Sequence, residues 1–479
     1  MLIRCSEDNF IYDVHSLFKA FYPAEDVRVI PTSEDNDEAA FAFIEYKKDR
    51  SVITLYSDGK EEVTESEIAE NDRVDYKNKL KRAIYRALSK KNGTKLPWGT
   101  LTGIRPTKIA LTMLEAGNPD EEILEYYDSV YLTGKRKATL AVDIAHRELQ
   151  ILSDIHYDEG YSIYIGIPFC PSTCLYCSFT SFPRMIYEKQ IGEYIACLKK
   201  EIDYVAESFK KRIADSVYIG GGTPTTLTPA ELADLIGYLK SKINFDSVKE
   251  FTVEAGRADS ITREKLEVLK RMGVTRISVN PQTFKQETLD IIGRRHTVEQ
   301  VIEAYKTARE LGFDNINMDM IVGLPGENKA DVANTLETIA KLSPDSVTVH
   351  SLAVKRASRL NEWISEHGRD FINSEEIMDM TEKMLRDIGL EPYYLYRQKN
   401  MSGNMENVGY AKKGKEGIYN ILIMEEKQSI VALGAGTVTK RVFHEGDNYR
   451  MERCDNVKDV RLYIEKIDEM IDRKRKLFL

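Results

Sequence analysis

The stretch Tyr164-Ile-Gly-Ile-Pro-Phe-Cys170-Pro-Ser-Thr-Cys174-Leu-Tyr-Cys177-Ser-Phe179 sets three cysteines at the spacing C-x3-C-x2-C. Thiolates suit iron–sulfur chemistry, and four of them normally close a [4Fe-4S] cube. Three local cysteines therefore predict a cluster that leaves one iron open to an outside ligand. A structural zinc site usually shows paired C-x2-C units and a nearby fourth ligand, which this stretch lacks. Zinc or a chance grouping is the weaker alternative.

Length and composition bound the class of protein. A chain of 479 residues is too long for one ordinary core, so we expect two or three domains. A hydrophobic content of 42% and a charged content of 30% are normal for a soluble globular protein. The net charge of −9 argues against broad nucleic-acid binding. With no signal peptide, no apolar run of membrane-spanning length and no disulfide framework among six cysteines, the composition predicts a cytoplasmic protein.

Short apolar strands alternate with amphipathic helices between residues 161 and 354. The strands are predicted at 161–167, 215–219, 249–254, 275–279, 314–322 and 345–351. Six such units with parallel strands predict an α/β fold, either a barrel or an open sheet covered by helices. Functional groups in these folds gather at the carboxyl ends of the strands. One helix start is well marked, because Thr228-Pro-Ala-Glu231 combines an N-cap, an early proline and a capping-box glutamate.

The flanking zones mix strands and helices. We expect a hairpin over 52–63 around Asp58-Gly59 and helices at about 67–90, 106–116, 135–154 and 374–388. The connector 96–108 carries Trp98, Arg105 and Lys108, which could contact a ligand, although a buried connector is the favoured interpretation. The predicted domains are 1–155, 156–373 and 374–479, with the last one capping the open side of the barrel.

Each predicted strand leads into a distinctive segment. Gly220-Gly221-Gly222-Thr223 follows the second strand and would let a ligand approach the backbone, although a tight bend explains it equally well. Glu254 ends the third strand and could accept a ribose hydroxyl or an ammonium group, or be an ordinary solvated glutamate. Asp319 lies within an apolar strand, so it needs a partner or a ligand. His350 ends the sixth strand, where a lone histidine is more often structural.

As a set, these motifs resemble the oxygen-independent coproporphyrinogen III oxidase family of radical S-adenosylmethionine (SAM) proteins. The resemblance covers about 160 to 355, with a weaker match at 433–436. It rests on Tyr164-x-x-Ile-Pro-Phe-Cys, Gly-Gly-Gly-Thr-Pro-Thr, Val-Glu-Ala, Gln282, Gly-Arg-Arg-His-Thr and Gly323-Leu-Pro-Gly. The amino-terminal zone and the run 394–400 resemble the HemZ-type coproporphyrinogen dehydrogenases. The resemblance implies a partial (β/α)6 barrel with an α+β amino-terminal domain and a carboxy-terminal capping domain.

The resemblance also implies roles for individual residues. Cys170, Cys174 and Cys177 would hold a [4Fe-4S] cluster whose open iron binds SAM. The positions that match SAM contacts are Tyr164, Tyr176, Gly221, Gly222, Thr223 and Glu254. Positions that match contacts to a second SAM, or to the same pocket, are Gln282, Arg294 and Asp319, and Val438 matches one further contact. The implied cofactors are therefore the cluster and one or two SAM molecules.

The implied reaction is the oxidative decarboxylation of two propionates of coproporphyrinogen III to vinyl groups, which yields protoporphyrinogen IX in haem biosynthesis. A low-potential electron donor such as flavodoxin or ferredoxin is the implied partner. Cationic side chains would meet the substrate propionates, although solvated surface charge is the alternative for each. The candidates are Lys355, Arg356, Arg359, Arg397, Lys399 and Lys440.

Two positions depart from the family dehydrogenases. Gly166 stands where they carry histidine, and Phe179 stands where they carry a fourth cysteine. The second departure resembles the haem chaperone branch, so a haem carrier and an enzyme for another tetrapyrrole stay as alternatives. In an enzyme, Tyr396, Arg397 and His350 are the candidate catalytic residues that replace the missing thiol, since each can assist proton or electron movement.

Overall fold

Two compact units make up the protein. The computed structural model describes residues 1–34, 38–57, 59–67, 72–103, 105–355, 358–368, 372–398, 401–445 and 448–479. The first unit comprises Met1–His146 and Leu395–Glu406, and the second comprises Arg147–Tyr394 and Asn407–Leu479. The division into three domains stays a prediction.

The first unit contains a five-stranded sheet with the strand order β2-β1-β3-β4-β5. Its predicted hairpin is confirmed, since β4 and β5 pair antiparallel with Ser57 opposite Lys60, although Asp58 lies outside the described residues. The apolar faces of α1 and α2 pack with the buried faces of the strands around Ile3, Leu17 and Ile84. The elements are β1 (Leu2–Cys5), α1 (Ile11–Phe21), β2 (Arg28–Pro31), β3 (Ala42–Tyr46), β4 (Arg50–Ser57), β5 (Lys60–Glu67), α2 (Arg73–Asn92), α3 (Thr107–Glu115), α4 (Asp120–Tyr131) and α5 (Lys135–Leu152), the last of which continues into the second unit.

The second unit alternates strands and helices as predicted. Its elements are β6 (Gly160–Ile167), β7 (Phe169–Cys170), β8 (Phe182–Pro183), α6 (Arg184–Tyr187), α7 (Ile191–Ser208), β9 (Ile213–Gly221), α8 (Pro229–Lys242), β10 (Glu250–Gly256), α9 (Arg263–Arg271), β11 (Arg276–Val279), α10 (Gln286–Ile291), α11 (Val298–Glu310), β12 (Ile316–Val322), α12 (Lys329–Leu342), β13 (Ser346–Ser351), α13 (Leu360–His367), α14 (Glu375–Asp387), β14 (Glu391–Tyr396, of which the last two residues belong to the first unit), β15 (Asn407–Ala411), α15 (Ile418–Glu425), β16 (Ile430–Leu433), β17 (Val438–Glu445), β18 (Asn448–Asp455), α16 (Val460–Glu465) and α17 (Ile467–Phe478).

Six parallel strands form the centre of an eleven-stranded sheet. They stand in the order β13-β12-β11-β10-β9-β6, and each pairs parallel with its neighbour. All six begin and end within two residues of the predicted bounds. This agreement follows from the sequence pattern, because strands buried on both faces give apolar runs that stand out between amphipathic helices.

Carboxy-terminal residues extend this sheet at both edges. The strand β15 pairs antiparallel with β13 at one edge. At the other edge β16 pairs parallel with β6, and β17 and β18 follow antiparallel. The strand β6, which leads into the cysteine loop, is therefore an interior strand.

The helix α8 shows how local sequence places an element beside the sheet. The Thr228 hydroxyl accepts a hydrogen bond from the Glu231 amide at 3.2 Å, and the Glu231 carboxylate accepts one from the Thr228 amide at 2.7 Å. This reciprocal pair is the predicted capping box. It starts a helix whose Leu232, Leu235 and Leu239 are buried.

Among the described residues, no helix combines the length and the apolar character that crossing a membrane would require.

Candidate functional site

The three clustered cysteines lie in the loop that follows β6. Cys170 ends β7, which pairs with β8, so the loop from 171 to 181 is closed at its base by two short strands. Cys170 and Cys174 are buried and Cys177 is half-buried. Burial raises the pKa of the Cys170 thiol to about 11, and the neighbouring Cys177 and Cys174 add to the rise. Cys174 and Cys177 are therefore close enough to Cys170 to influence its ionisation.

The backbone of a second motif supports the cysteine loop. The Leu175 amide donates to the Ile292 carbonyl at 3.0 Å. The Ser172 hydroxyl donates to the Gly293 carbonyl at 3.2 Å. The loop thus rests on the segment Gly-Arg-Arg-His-Thr, which lies far away in sequence.

The glycine run packs against the start of the cysteine loop. Gly221 has a φ of +112°, a backbone conformation that side chains disfavour. The Gly222 amide donates to the Ile167 carbonyl at 2.8 Å. A Cβ atom at Gly222 would stand 2.8 Å from the Phe169 carbonyl oxygen and 3.0 Å from Cys170 Sγ. Glycine is required here because the glycine run and the start of the cysteine loop approach each other closely. The run is therefore a tight bend, and this structural role does not exclude a contact with a ligand.

Three stacked tyrosines lie close to Glu254. Tyr164 is on β6, Tyr218 is on β9 and Tyr419 is on α15. The rings of Tyr164 and Tyr218 are 6.0 Å apart, and Tyr419 stacks on Tyr218 at 4.5 Å. The Tyr218 hydroxyl donates to Glu254 Oε1 at 2.6 Å. Burial raises the pKa of Glu254 to about 7, although the Tyr218 hydrogen bond opposes the rise. Glu254 is therefore poised to exchange a proton near neutral pH.

Gln282 and Arg294 keep buried polar atoms without a protein partner. Gln282 has a φ of +66°, which is costly for a residue with a side chain, and its Oε1 has no hydrogen-bond partner. Arg294 donates to the Asn280 carbonyl at 2.8 Å and to the Tyr176 hydroxyl at 3.1 Å, while its Nε has no hydrogen-bond partner. Burial raises the pKa of Tyr176. Unpaired buried polar atoms are costly, and a bound polar ligand would satisfy them.

Asp319 and His350 come together from neighbouring strands. The two side chains approach to 3.9 Å, and the Asn317 amide donates to Asp319 Oδ1 at 2.7 Å. Burial opposes ionisation of Asp319, but His350 and Asn317 outweigh it and hold the pKa of the carboxyl below its ordinary value. Asp319 is therefore ionised at neutral pH, whereas Glu254 titrates there.

Two of the candidate catalytic residues belong to the first unit. The Arg397 guanidinium donates to the Leu101 carbonyl at 2.5 Å and to the Asn404 carbonyl at 2.9 Å. Its burial lowers the pKa to about 10. Tyr396 belongs to the same unit and is half-buried. The catalytic roles of both stay predictions.

The connector 96–108 is also part of the first unit. Trp98 is fully buried, and its indole N–H donates to Glu406 Oε2 at 2.7 Å. Lys137 donates to the other oxygen of this carboxylate at 2.6 Å. These contacts agree with the buried-connector interpretation.

The remaining predicted contacts differ in their surroundings. Val438 begins β17 and is 38% exposed. Arg359 donates to the Thr173 carbonyl in the cysteine loop at 2.5 Å. Lys440 is paired with Glu426 at 3.2 Å, and Lys355 is half-buried. Arg356 and Lys399 lie outside the described residues.

Both departures from the family pattern have a local structural context. A Cβ atom at Gly166 would stand 2.6 Å from Thr437 Cγ2, so the packing of the segment after β16 requires glycine there. The Phe179 side chain is 76% exposed. The position at which the family dehydrogenases carry a fourth cysteine is therefore exposed to solvent in this protein.

The sequence reasoning missed Arg257 and Asp259. Arg257 is 3% exposed and donates from Nη1 to Cys174 Sγ at 3.5 Å. Asp259 holds the same guanidinium through two hydrogen bonds. Both residues follow the predicted strand that ends in Glu254. This position was the available signal, because polar residues at the carboxyl ends of parallel strands share one site.

The residue set fits an iron–sulfur cluster. Three cysteines share one loop, and two buried guanidiniums, those of Arg257 and Arg294, lie within electrostatic reach of Cys174 and can balance anionic thiolates. In the described part of the chain, no group of three or more His, Cys, Asp or Glu side chains is arranged around the position of a single metal ion.

Known proteins share these features. The sequence profile of the Radical SAM superfamily matches residues 164–339. The oxygen-independent coproporphyrinogen-III oxidase-like protein HemZ of Bacillus subtilis (strain 168) is 40% identical over 408 residues, which cover 84% of this chain and 80% of that protein. The heme chaperone HemW of the same organism is 31% identical over 277 residues, which cover 57% of this chain and 69% of that protein.

Among solved structures, coproporphyrinogen III oxidase (HemN) from Escherichia coli aligns with a TM-score of 0.53. The alignment covers 67% of this chain and 72% of that one at 21% identity, which shows a shared fold. The sequence match to HemZ extends over most of both chains. The chain therefore belongs to the HemZ-type, oxygen-independent coproporphyrinogen-III oxidase-like proteins of the radical SAM superfamily.

Proposed function

We propose that this protein catalyses the oxygen-independent oxidative decarboxylation of coproporphyrinogen III to protoporphyrinogen IX. The observation that carries the proposal is a loop of three cysteines packed against a glycine bend at the carboxyl ends of the parallel strands, in a chain 40% identical to a coproporphyrinogen-III oxidase-like protein. Each of two rounds would remove one hydrogen atom, one electron and carbon dioxide from a propionate, which leaves a vinyl group.

The cysteines would hold a [4Fe-4S] cluster that binds SAM, and together these cofactors supply the radical that takes the hydrogen atom. The chain's own residues would position SAM. Asp319 is an ionised acceptor for a hydroxyl or ammonium group, and Gln282 Oε1 is a buried acceptor without a partner. Arg294 Nε offers an unused donor.

The substrate propionates need cations at the rim of the site. Lys355 is half-buried, and burial lowers the pKa of its ammonium group, so a propionate there would meet a poorly solvated cation. Lys440 is already paired with Glu426 and is the weaker candidate. His350, at the end of β13 and 3.9 Å from Asp319, is the candidate proton carrier of the second unit.

An anaerobic assay tests the proposed reaction. Reconstituted protein is given SAM, dithionite, an electron acceptor and coproporphyrinogen III, and mass spectrometry follows the loss of two carboxyl groups. Cys174→Ala should abolish product, whereas Cys197→Ala should retain it, because Cys197 is buried on α7 and contacts the Ile464 carbonyl rather than the loop. Cleavage of SAM without any decarboxylation would rule out this substrate.

A haem carrier is the second candidate. Phe179 at the position of the fourth cysteine and the 31% identity to a heme chaperone favour it. Stoichiometric haem binding by wild-type protein, with no turnover of coproporphyrinogen III, would support the carrier. A low-potential electron donor and a cytoplasmic location belong to either proposal.

A further inference from the structure

The three cysteines of the loop have different hydrogen-bond partners. Cys170 Sγ lies 3.4 Å from the Thr223 hydroxyl, and Cys177 Sγ lies 3.6 Å from the Ser181 hydroxyl. Cys174 Sγ instead receives a hydrogen bond from the Arg257 guanidinium at 3.5 Å. Among the contacts of the described residues, Cys174 is thus the thiol with a charged donor.

Arg257 is held in one orientation by Asp259. The guanidinium Nε donates to Asp259 Oδ1 at 3.0 Å, and Nη2 donates to Oδ2 at 2.6 Å. The remaining nitrogen, Nη1, donates to the Ser172 carbonyl at 2.9 Å as well as to Cys174. A guanidinium group can bind a carboxylate through two nitrogens and still donate to the loop through the third. Lysine cannot replace it, because its ammonium group is a single point charge.

The carboxylate is itself supported from a third element. His296, which is 2% exposed, approaches Asp259 Oδ1 to 3.9 Å. His296 belongs to the segment on which the cysteine loop rests. Arg257 and Asp259 therefore form a buried ion pair. Arg257 contacts the cysteine loop at Ser172 and Cys174, and Asp259 lies near His296.

We propose that Arg257 is a positioning residue that raises the reduction potential of the cluster through Cys174. Reduction adds one electron to the cluster and breaks no bond. A positive donor on a ligand sulfur stabilises the more negative reduced form, and hydrogen bonds to the sulfurs are among the factors that set cluster potentials. The inference rests on the cluster of the proposed function, but it does not depend on which tetrapyrrole the protein acts on.

Potentiometric titration of the reconstituted full-length protein without SAM tests this role. Arg257→Met should shift the midpoint potential to a more negative value while iron content stays at the wild-type level. Arg257→Lys should shift it less, because a cation remains nearby without the fork. Arg309→Met is the matched control, since Arg309 also pairs with an aspartate, Asp345, but at the amino-terminal end of β13. Its potential should equal that of wild type.

Equal potentials in wild type and Arg257→Met, at equal iron content, would overturn the proposal. Loss of the cluster from both Arg257 variants would also overturn it, because the side chain would then be needed for assembly rather than for the potential. The decarboxylation assay is independent of these outcomes. A protein that does not decarboxylate coproporphyrinogen III can still show the shift in midpoint potential. A protein that does decarboxylate it can lack the shift.

Discussion

At the scale of single residues, the hydrogen-bond and charge partners of a buried acid decide whether it is charged at neutral pH. Glu254 and Asp319 both lie inside the sheet. Asp319 keeps a lowered pKa because His350 and Asn317 outweigh its burial. Burial raises the pKa of Glu254 to about 7, because the hydrogen bond from the neutral Tyr218 hydroxyl replaces only part of the hydration that the carboxylate loses.

We expect Glu254 to make the stability of the apo protein pH-dependent. A carboxyl whose pKa is raised in the folded state holds its proton longer there than in the unfolded chain. Stability is therefore lost as pH rises from the ordinary glutamate range to about 7, by up to roughly 3 kcal/mol. Urea unfolding at several pH values measures this loss, and Glu254→Gln should lose distinctly less over the same window. Parallel pH profiles for the two proteins would contradict the expectation.

At the scale of elements, the glycine bend after β9 and the cysteine loop after β6 form one packed structure. Amides of the bend donate to carbonyls at the start of the loop, and Gly222 leaves room for Cys170. We therefore expect a substitution in the bend to displace Cys170 as well as to disturb any ligand bound there.

We expect Gly222→Ala to lower the iron content of the reconstituted protein. The new Cβ would stand 2.8 Å from the Phe169 carbonyl oxygen and would displace the Cys170 segment, at a cost of about 1–3 kcal/mol. Gly237→Ala in α8 is the matched control, because a Cβ there meets nothing within 4 Å and a helix favours alanine. Iron per chain and the midpoint of thermal unfolding measure both effects. Normal iron content in Gly222→Ala would show that the loop tolerates the shift.

At the scale of the whole molecule, the carboxy-terminal residues complete the sheet that holds the site. Glu201 on α7 is fully buried and accepts from the Lys474 ammonium at 2.6 Å, from the Asn456 amide at 3.0 Å and from the Gly434 amide at 2.7 Å. The Tyr463 hydroxyl donates to the same carboxylate at 2.5 Å. One buried charge thus connects α17 and the turn after β16 to a helix of the barrel.

We expect Lys474→Met to destabilise the second unit by about 3–5 kcal/mol, because it leaves Glu201 charged and without its cation in the interior. Lys476→Met, two residues along the same helix at an exposed position, should stay within about 0.5 kcal/mol of wild type. Chemical unfolding followed by circular dichroism compares the two. Similar stability for both variants would mean that the ion pair contributes little.

Local sequence patterns were enough to predict the six parallel strands, the capping box of α8, the cysteine loop and the family. These features follow from local rules, since apolar runs, capping residues and ligand spacing are each written within a few neighbouring positions. The amino-terminal elements α1 and α4 were missed, because amphipathic helices without marked caps give weak signals.

The surroundings of each functional group, by contrast, depend on contacts between residues that are distant in sequence. Arg257 meets Cys174 across 83 positions of sequence, and Lys474 meets Glu201 across 273. Gly166 is explained by Thr437, which lies between β16 and β17, and β16 is the late strand that pairs with β6. Contacts of this kind depend on how strands are ordered in the sheet. The pKa values and hydrogen bonds that they create therefore cannot be read from any local pattern.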